Sequence, residues 1–358
     1  MRILVTGGAG FIGSHLVDTL IQNGYRVSVV DNLSTGLKEN LNPKARFYQI
    51  DIRDQKLPKI FKKEKPEVVF HLAAQINLRK SIEDPVFDTD VNILGSLNVL
   101  EAARKSGTKK IIFSSTGGAI YGEVDEIPTP ETYPAMPSSP YGLAKLTMEK
   151  YLEIYRQIYG LDYVALRYGN VYGPRQNTKA EAGVIAIFIE NLLRGKPCTI
   201  NGDGRQTRDY IFVDDVVRAN LLALEKGSRP QETALRQRQY KEIRPPKNQV
   251  PAVLNIGEVG PHDRNDLFPI FNVGTGVETS VNQIFKKIAG IMGMSDLLNL
   301  LEGSDLLGRS DLFKYGPAIK GELQRSALDW QKAKKGLGWR PEIDLDKGLQ
   351  MTVSWFKK

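Results

Sequence analysis

Cysteine is almost absent from this chain of 358 residues: Cys198 stands alone, so no disulfide can close within it and no cysteine pair can hold a metal. That is compatible with a reducing compartment and points to the cytoplasm. Histidine is nearly as scarce. With His15, His71 and His262 far apart, no metal-ligand cluster is expected, and a His-based nucleophile triad has few candidates. No apolar run approaches the roughly 18 residues that cross a bilayer. The segment from Met1 becomes a glycine-rich loop within seven residues instead of running toward a cleavage site, so neither a membrane span nor a processed leader is expected. No internal repeat is visible.

What is present is ordinary for a globular protein, with 41% hydrophobic and 25% charged residues, which disfavours disorder, collagen and coiled coil. The length suits one large or two unequal domains. The net charge of +8 suits an anionic partner, either a nucleic acid or a phosphorylated small molecule. A nucleic-acid role needs basic residues interleaved with stacking aromatics, and the most basic stretch, 228–250, offers only Tyr240, so no nucleic-acid partner is expected.

Apolar runs at 2–7, 25–31, 46–51, 67–74, 109–115 and 162–168 alternate with helical patterns, notably at 86–105 and 141–159. Buried strands separated by helices predict an α/β protein with a doubly wound parallel sheet of the Rossmann kind, because each crossover helix must cover a sheet face. The expected division is a dinucleotide-binding domain over 1–175, whose core also receives later segments, and a smaller C-terminal lobe over 176–358. In the lobe the patterns predict helices near 182–194, 213–226, 279–292 and 344–357 and strands near 197–200 and 268–273. Two stretches, 228–267 and 295–316, fit no compact α/β unit and read as excursions.

Thr6-Gly7-Gly8-Ala9-Gly10-Phe11-Ile12-Gly13 sets glycines directly between a strand and a helix. Side-chain-free turns let backbone approach a pyrophosphate, and the helix N-terminus presents unpaired N–H groups to it. Gly7, Gly10, Phe11, Ile12 and Gly13 are therefore expected at a dinucleotide. Asp31, at the end of the second strand, is placed to bond a ribose hydroxyl and to repel a 2′-phosphate, which favours NAD over NADP. Asp51 and Ile52 end the third strand and are expected at the adenine. The carboxyl ends of the next strands put Leu72, Ala73, Ala74 and Gln75, and then Ser114 to Thr116, beside the cofactor.

Tyr141 and Lys145 stand four residues apart after Pro140, on one face of a helix. An ammonium beside a phenol of ordinary pKa about 10 favours the phenolate, which makes Tyr141 a candidate base. Thr116 can offer a hydroxyl to the same substrate oxygen.

These residues, with DNLSTG at 31–36, NILGSLNVLEA at 92–102, SSTGGAIYGE at 114–123, LRYGNVYGPRQ at 166–176, TRDYIFVDDV at 207–216, FNVGTG at 271–276 and LGWRP at 337–341, mark a resemblance along nearly the whole chain. The chain resembles the extended short-chain dehydrogenase/reductases, and most closely their nucleotide-sugar epimerases of the UDP-glucose 4-epimerase type. The resemblance implies NAD as cofactor, with Asn32, Ser34, Thr35, Gly36, Asn92 and Tyr168 joining the cofactor site, and Tyr141 as base, Lys145 on the nicotinamide ribose and Thr116 on the sugar O4. It implies a UDP-sugar substrate, contacted at its diphosphate by Asn170 and Arg208, and a homodimer through the helices near 86–105 and 141–159.

The related 4,6-dehydratases carry an Asp-Glu pair after the threonine, where this chain has Gly117 and Gly118. A UDP-glucuronate decarboxylase or epimerase stays open as an alternative; a non-catalytic NAD-binding regulator is disfavoured by the retention of Tyr141, Lys145 and Thr116. Two positions depart from the pattern. Ile319 stands where the family usually has a diphosphate-binding arginine, which leaves Lys320 as substitute. Seven residues on, Ser326 stands where some members have a tyrosine that excludes N-acetyl groups, so N-acetylhexosamines are expected to fit.

Overall fold

The computed structural model describes residues 1–178, 183–226, 269–294, 312–318 and 323–358. Seven parallel strands form its main sheet: β1 (Arg2–Thr6), β2 (Arg26–Asp31), β3 (Arg46–Gln49), β4 (Val68–His71), β5 (Lys110–Thr116), β6 (Asp162–Tyr168) and a late strand, Ile270–Val273. Their order across the sheet places the late strand first, followed by β6, β5, β4, β1, β2 and β3. The winding reverses at β1, which pairs Leu4 with Ser28 of β2 on one side and with Val69 of β4 on the other. A crevice opens at the carboxyl ends of β1 and β4, the place where such sheets bind ligands.

Side chains alternate between two cores, as the period of two in a strand requires. Ile3, Val5, Val29, Phe70 and Ile112 face α1 (Phe11–Gln22). Leu4, Val30, Val69 and Ile111 face α2 (Leu57–Glu64), α5 (Ser96–Ser106) and α6 (Pro140–Tyr159). Between α2 and α5 lie two short helices, α3 (Leu78–Glu83) and α4 (Pro85–Thr89). The segment expected as one helix over 86–105 is interrupted: a wide π turn over Asp90–Gly95 joins α4 to α5. Such turns accompany functional sites, and this one carries Asn92.

The smaller lobe is built from short pairs. These are β7 (Asn170–Tyr172) with β10 (Tyr210–Phe212), β8 (Cys198–Asn201) with Phe313–Gly316, and β9 (Thr207–Arg208) with Thr279–Ser280. In chain order the later strands are β11 (Ile270–Val273), β12 (Thr279–Ser280) and β13 (Phe313–Gly316). The helices are α7 (Val184–Leu193), α8 (Val213–Glu225), α9 (Val281–Ile291), α10 (Gln331–Leu337) and α11 (Leu345–Phe356). Helices α7, α9 and α11 pack together, with Phe188 edge-on to Phe285 at 5.2 Å. Helix α8 instead lies on α1, so the lobe's chain returns to cover the main sheet before β11 completes its edge.

The excursion expected at 228–267 lies outside the described residues. So does most of 295–316, but its end is corrected: 313–316 is a strand whose register pairs Phe313 with Cys198, because Phe313 is an apolar side chain packed on Phe285. Among the described residues no helix is long and apolar enough to cross a membrane.

Candidate active site

The glycine loop is shaped by close approach. Gly7 has φ 72°, and a Cβ there would lie 2.7 Å from the Ala73 nitrogen at the end of β4. A Cβ on Gly13 would lie 2.1 Å from the Gly7 carbonyl oxygen, so the first turn of α1 can sit on the loop only without side chains. That helix begins without an acidic residue in its first turn, leaving its N-terminal field to an anion. Among the described residues no group of His, Cys, Asp and Glu could hold a metal.

Asp31 is buried. One carboxylate oxygen accepts from the Ala9 N–H at 3.0 Å and the other from the Leu33 N–H at 2.8 Å, so it braces the glycine loop from β2; burial pushes its pKa up and those two bonds oppose the shift. Asp51 accepts from the Arg53 fork at 2.8 Å and from the Asn32 amide at 2.8 Å, which draws its pKa down to about 2 and ties the end of β3 to the turn after β2. Ile52 is buried against the face of Gly95. In the same turn Ser34 N–H donates to the Asn32 side chain, Gly36 lies against Ala9, and the Thr35 carbonyl accepts from Asn177 at 3.1 Å. Asn177 was not anticipated; it links the cofactor side of the crevice to the loop after β7.

The loop after β4 runs through Leu72, Ala73, Ala74 and Gln75. Leu72 and Ala73 are held through their N–H groups by Thr6, and Gln75 by Asn92, whose amide accepts from the Gln75 N–H at 2.9 Å and donates to its carbonyl at 2.8 Å. Buried His71 bridges Thr6 and Ser96 at 2.7 and 2.9 Å; burial and the charge of Lys145 draw its pKa down to about 3.

Helix α6 starts with Ser139, whose hydroxyl accepts from the Gly142 N–H, and with Pro140 in its first turn. This start sets Tyr141 half-buried and Lys145 buried one turn later, with the ammonium 5.8 Å from the centre of the tyrosine ring. Lys145 donates to the Ser114 carbonyl at 2.9 Å, which fastens it to the strand that ends in half-buried Thr116. Burial draws the Lys145 pKa down to about 8 against the opposing charges of Asp88 and Glu149. The Tyr168 hydroxyl pairs with Asn220 at the end of β6.

On the lobe side Asn170 is exposed, and its side-chain oxygen would lie 3.3 Å from a Cβ on Gly118, so it adjoins the segment after Thr116. Arg208 is half-buried on β9 and donates to the Thr207 carbonyl at 2.8 Å. Ser326 is buried. Leu328, two residues later, packs on Gly117 so closely that a Cβ there would meet it at 2.4 Å; the chain at 326–328 thus lies beside Thr116. Ile319 and Lys320 lie outside the described residues.

Two buried anchors escaped the sequence reading. Asp209 accepts from the Thr275 N–H and hydroxyl at 2.7 and 2.6 Å, and from the Gly276 and Leu328 N–H groups at 3.0 Å, so one carboxylate joins the end of β11 to the 326–328 segment. Glu149, one turn beyond Lys145, accepts from Arg167 at 2.9 and 2.7 Å and from the Ser115 hydroxyl at 2.6 Å; Arg167 donates also to Tyr121 at 2.8 Å. The sequence held a weak signal for the second: Glu149 continues the four-residue spacing of Tyr141 and Lys145.

The profile of the NAD dependent epimerase/dehydratase family matches residues 3–235. A UDP-glucose 4-epimerase of Mycolicibacterium smegmatis is 41% identical over 100% of this chain and 99% of its own. The solved structure of UDP-glucose 4-epimerase with UDP-glucose from Thermotoga maritima superposes with a TM-score of 0.82 at 48% identity, covering 100% of this chain and 99% of that one. That of Thermus thermophilus UDP-glucose 4-epimerase in complex with NAD gives 0.80 at 39%, again covering 100% and 99%.

Proposed function

The chain belongs to the NAD-dependent epimerase/dehydratase family, and from that premise we propose that it interconverts UDP-glucose and UDP-galactose by inverting the hydroxyl at C4, and accepts the N-acetylated sugars as well. The observation that carries this reading is the placement of Tyr141 and Lys145 on one face of α6, with Lys145 fastened at 2.9 Å to the strand that presents Thr116. The glycine cradle, the Asp31 brace and the Gln75–Asn92 pair fit a dinucleotide in the crevice between β1 and β4.

When bound, NAD supplies a hydride acceptor that is restored in each cycle. The Tyr141 phenolate takes the proton of the sugar O4 as C4 is oxidised and gives it back when C4 is reduced from the other face. Lys145 holds positive charge beside that phenolate and stabilises it. The Thr116 hydroxyl orients O4. Epimerisation needs the keto sugar to turn while its diphosphate stays held, and Arg208 and Asn170 are the groups we assign to that anchor, with Lys320 completing it. Gly117 and Gly118 place no acid beside the sugar to expel water, which favours epimerisation over dehydration.

Small Ser326 beside the Leu328–Gly117 contact supports room for an N-acetyl group. The apolar side chains of Ile82, Val86, Leu94, Leu143 and Ile158, each more than half exposed on α3, α4, the π turn and α6, support a homodimer through this face. We assign the enzyme to the cytoplasm, with which a single cysteine, Cys198, that can form no disulfide within the chain is compatible.

Purified protein incubated with UDP-galactose should yield UDP-glucose with no net NADH. Absence of conversion in protein that retains NAD would refute the reading and turn attention to UDP-glucuronate chemistry.

A further inference from the structure

Lys145 is a buried cation at the centre of the proposed chemistry, so its charge must be balanced nearby. Among the described residues the groups that face it come from four elements. From α6 come Tyr141 and Glu149, the latter bonded by Arg167 of β6; from β5, the Ser114 carbonyl and the Phe113 ring, 4.8 Å from the ammonium; from β4, His71, neutral because of its burial; and from α4, which packs on α6, Asp88.

Two of these carry negative charge, and they are not equivalent. Glu149 also opposes the burial shift of Lys145, but it is engaged by the Arg167 fork at 2.9 and 2.7 Å, so its charge is answered first within that pair. Asp88 is fully buried and has no cation bonded to it among the described residues. Its Oδ1 accepts from the amides of Gln75 at 2.8 Å and Asn92 at 2.9 Å, both neutral, and its Oδ2 is buried without a hydrogen-bond partner among the described residues. Exposed Lys80 on α3 and half-buried Arg53 after β3 lie over the ring of Phe87, and Arg53 is paired with Asp51 at 2.8 Å and Asp90 at 2.7 Å. Arg79 and Glu83 on α3 are exposed.

We propose that Asp88 is the counter-charge of Lys145: a positioning residue, away from the reacting atoms, whose uncompensated buried carboxylate keeps the ammonium charged beside Tyr141. The proposal rests on the epimerase reading for the role of Lys145, but the pairing of charges is a property of the folded chain. Burial draws Lys145 down and Asp88 up, and each opposes the other's shift. The carboxylate also ties this balance to the cofactor loop, since the amides that hold it are those that set Gln75 and Asn92.

The test uses full-length protein with NAD bound and lysine labelled with carbon-13 at Cε, the Lys145 signal being identified by its loss in Lys145→Met. Asp88→Asn keeps the size and the acceptor and removes the charge; the Lys145 midpoint should fall by about 1 pH unit, and the alkaline limb of kcat for UDP-galactose should move down with it. Asp88→Glu should bring the midpoint back to within about half a unit of the wild type. Gln75→Met breaks the bond to Oδ1 while leaving the charge, and its midpoint should stay put. Should Asp88→Asn fail to fold, Asp88→Ser removes the same charge with a smaller side chain. An unchanged midpoint in the charge-removing variant, or an equal fall in Gln75→Met, overturns the proposal. A midpoint that falls in Asp88→Asn, in a protein whose wild type does not convert UDP-galactose, would refute the epimerase reading while leaving the charge pairing intact, because the midpoint needs no turnover.

Discussion

Replacing Arg167 by methionine should destabilise the protein far more than a change at one strand residue ordinarily does. The guanidinium is 6% exposed and Glu149 1%, and the substitution removes two hydrogen bonds to the carboxylate and one to Tyr121. Glu149 then keeps a buried charge whose one remaining hydrogen-bond donor among the described residues is the Ser115 hydroxyl, a loss of about 3–5 kcal/mol. For a chain of 358 residues, with unfolding entropy of about 2.1 cal/mol/K per residue, this is a fall in Tm of about 4–7 °C. Arg167→Met combined with Glu149→Leu removes both charges and leaves mainly the Ser115 hydroxyl unpaired, which costs about 1–3 kcal/mol. The double variant should therefore melt above the single one, although it carries one more substitution. Calorimetry on the wild type, the two single variants and the double variant measures the coupling. A double variant that loses as much as the two single variants added together would refute the argument that these charges exist for each other.

Gly7→Ala should abolish retention of NAD through purification while leaving a folded protein, since its Cβ meets the Ala73 backbone at the crevice; the nicotinamide content of the purified variant checks this. Stability should fall with acidification through His71. Its folded pKa of about 3 lies below the unfolded value near 6.5, so between those pH values the unfolded state binds the extra proton and stability rises with pH. The contribution is about 1.4 kcal/mol per pH unit, and urea titrations at pH 6 and pH 5 should show a shallower dependence in His71→Gln. Ser326→Tyr should lower the rate on UDP-N-acetylglucosamine relative to UDP-glucose by at least about tenfold, as the ratio of kcat/KM reports; an unchanged ratio would contradict the pocket assigned to Ser326.

The sheet and the cradle were legible because their signals are local. A strand, a glycine turn and an amphipathic helix in succession require only neighbours in sequence, and β1, Gly7 to Gly13 and α1 follow that pattern. Tyr141 and Lys145 were equally legible, since helical geometry alone puts them on one face. What escaped depends on pairings between distant segments. Asp209 bonds Thr275, Gly276 and Leu328, and Glu149 bonds Arg167 across 18 positions, so neither role has a local spacing to betray it. The interruption at Asp90–Gly95 escaped for a different reason: a π turn keeps the apolar face of a helix nearly continuous, so periodicity passes over it.

The most direct measurement of the central claim is the rate of UDP-galactose conversion by wild-type protein and by Tyr141→Phe, both with NAD bound, across pH 6 to 9. The account predicts conversion to UDP-glucose without net NADH in the wild type, and a loss of kcat of about 10²–10⁴-fold in the variant with its NAD content unchanged. Full activity in Tyr141→Phe would contradict it.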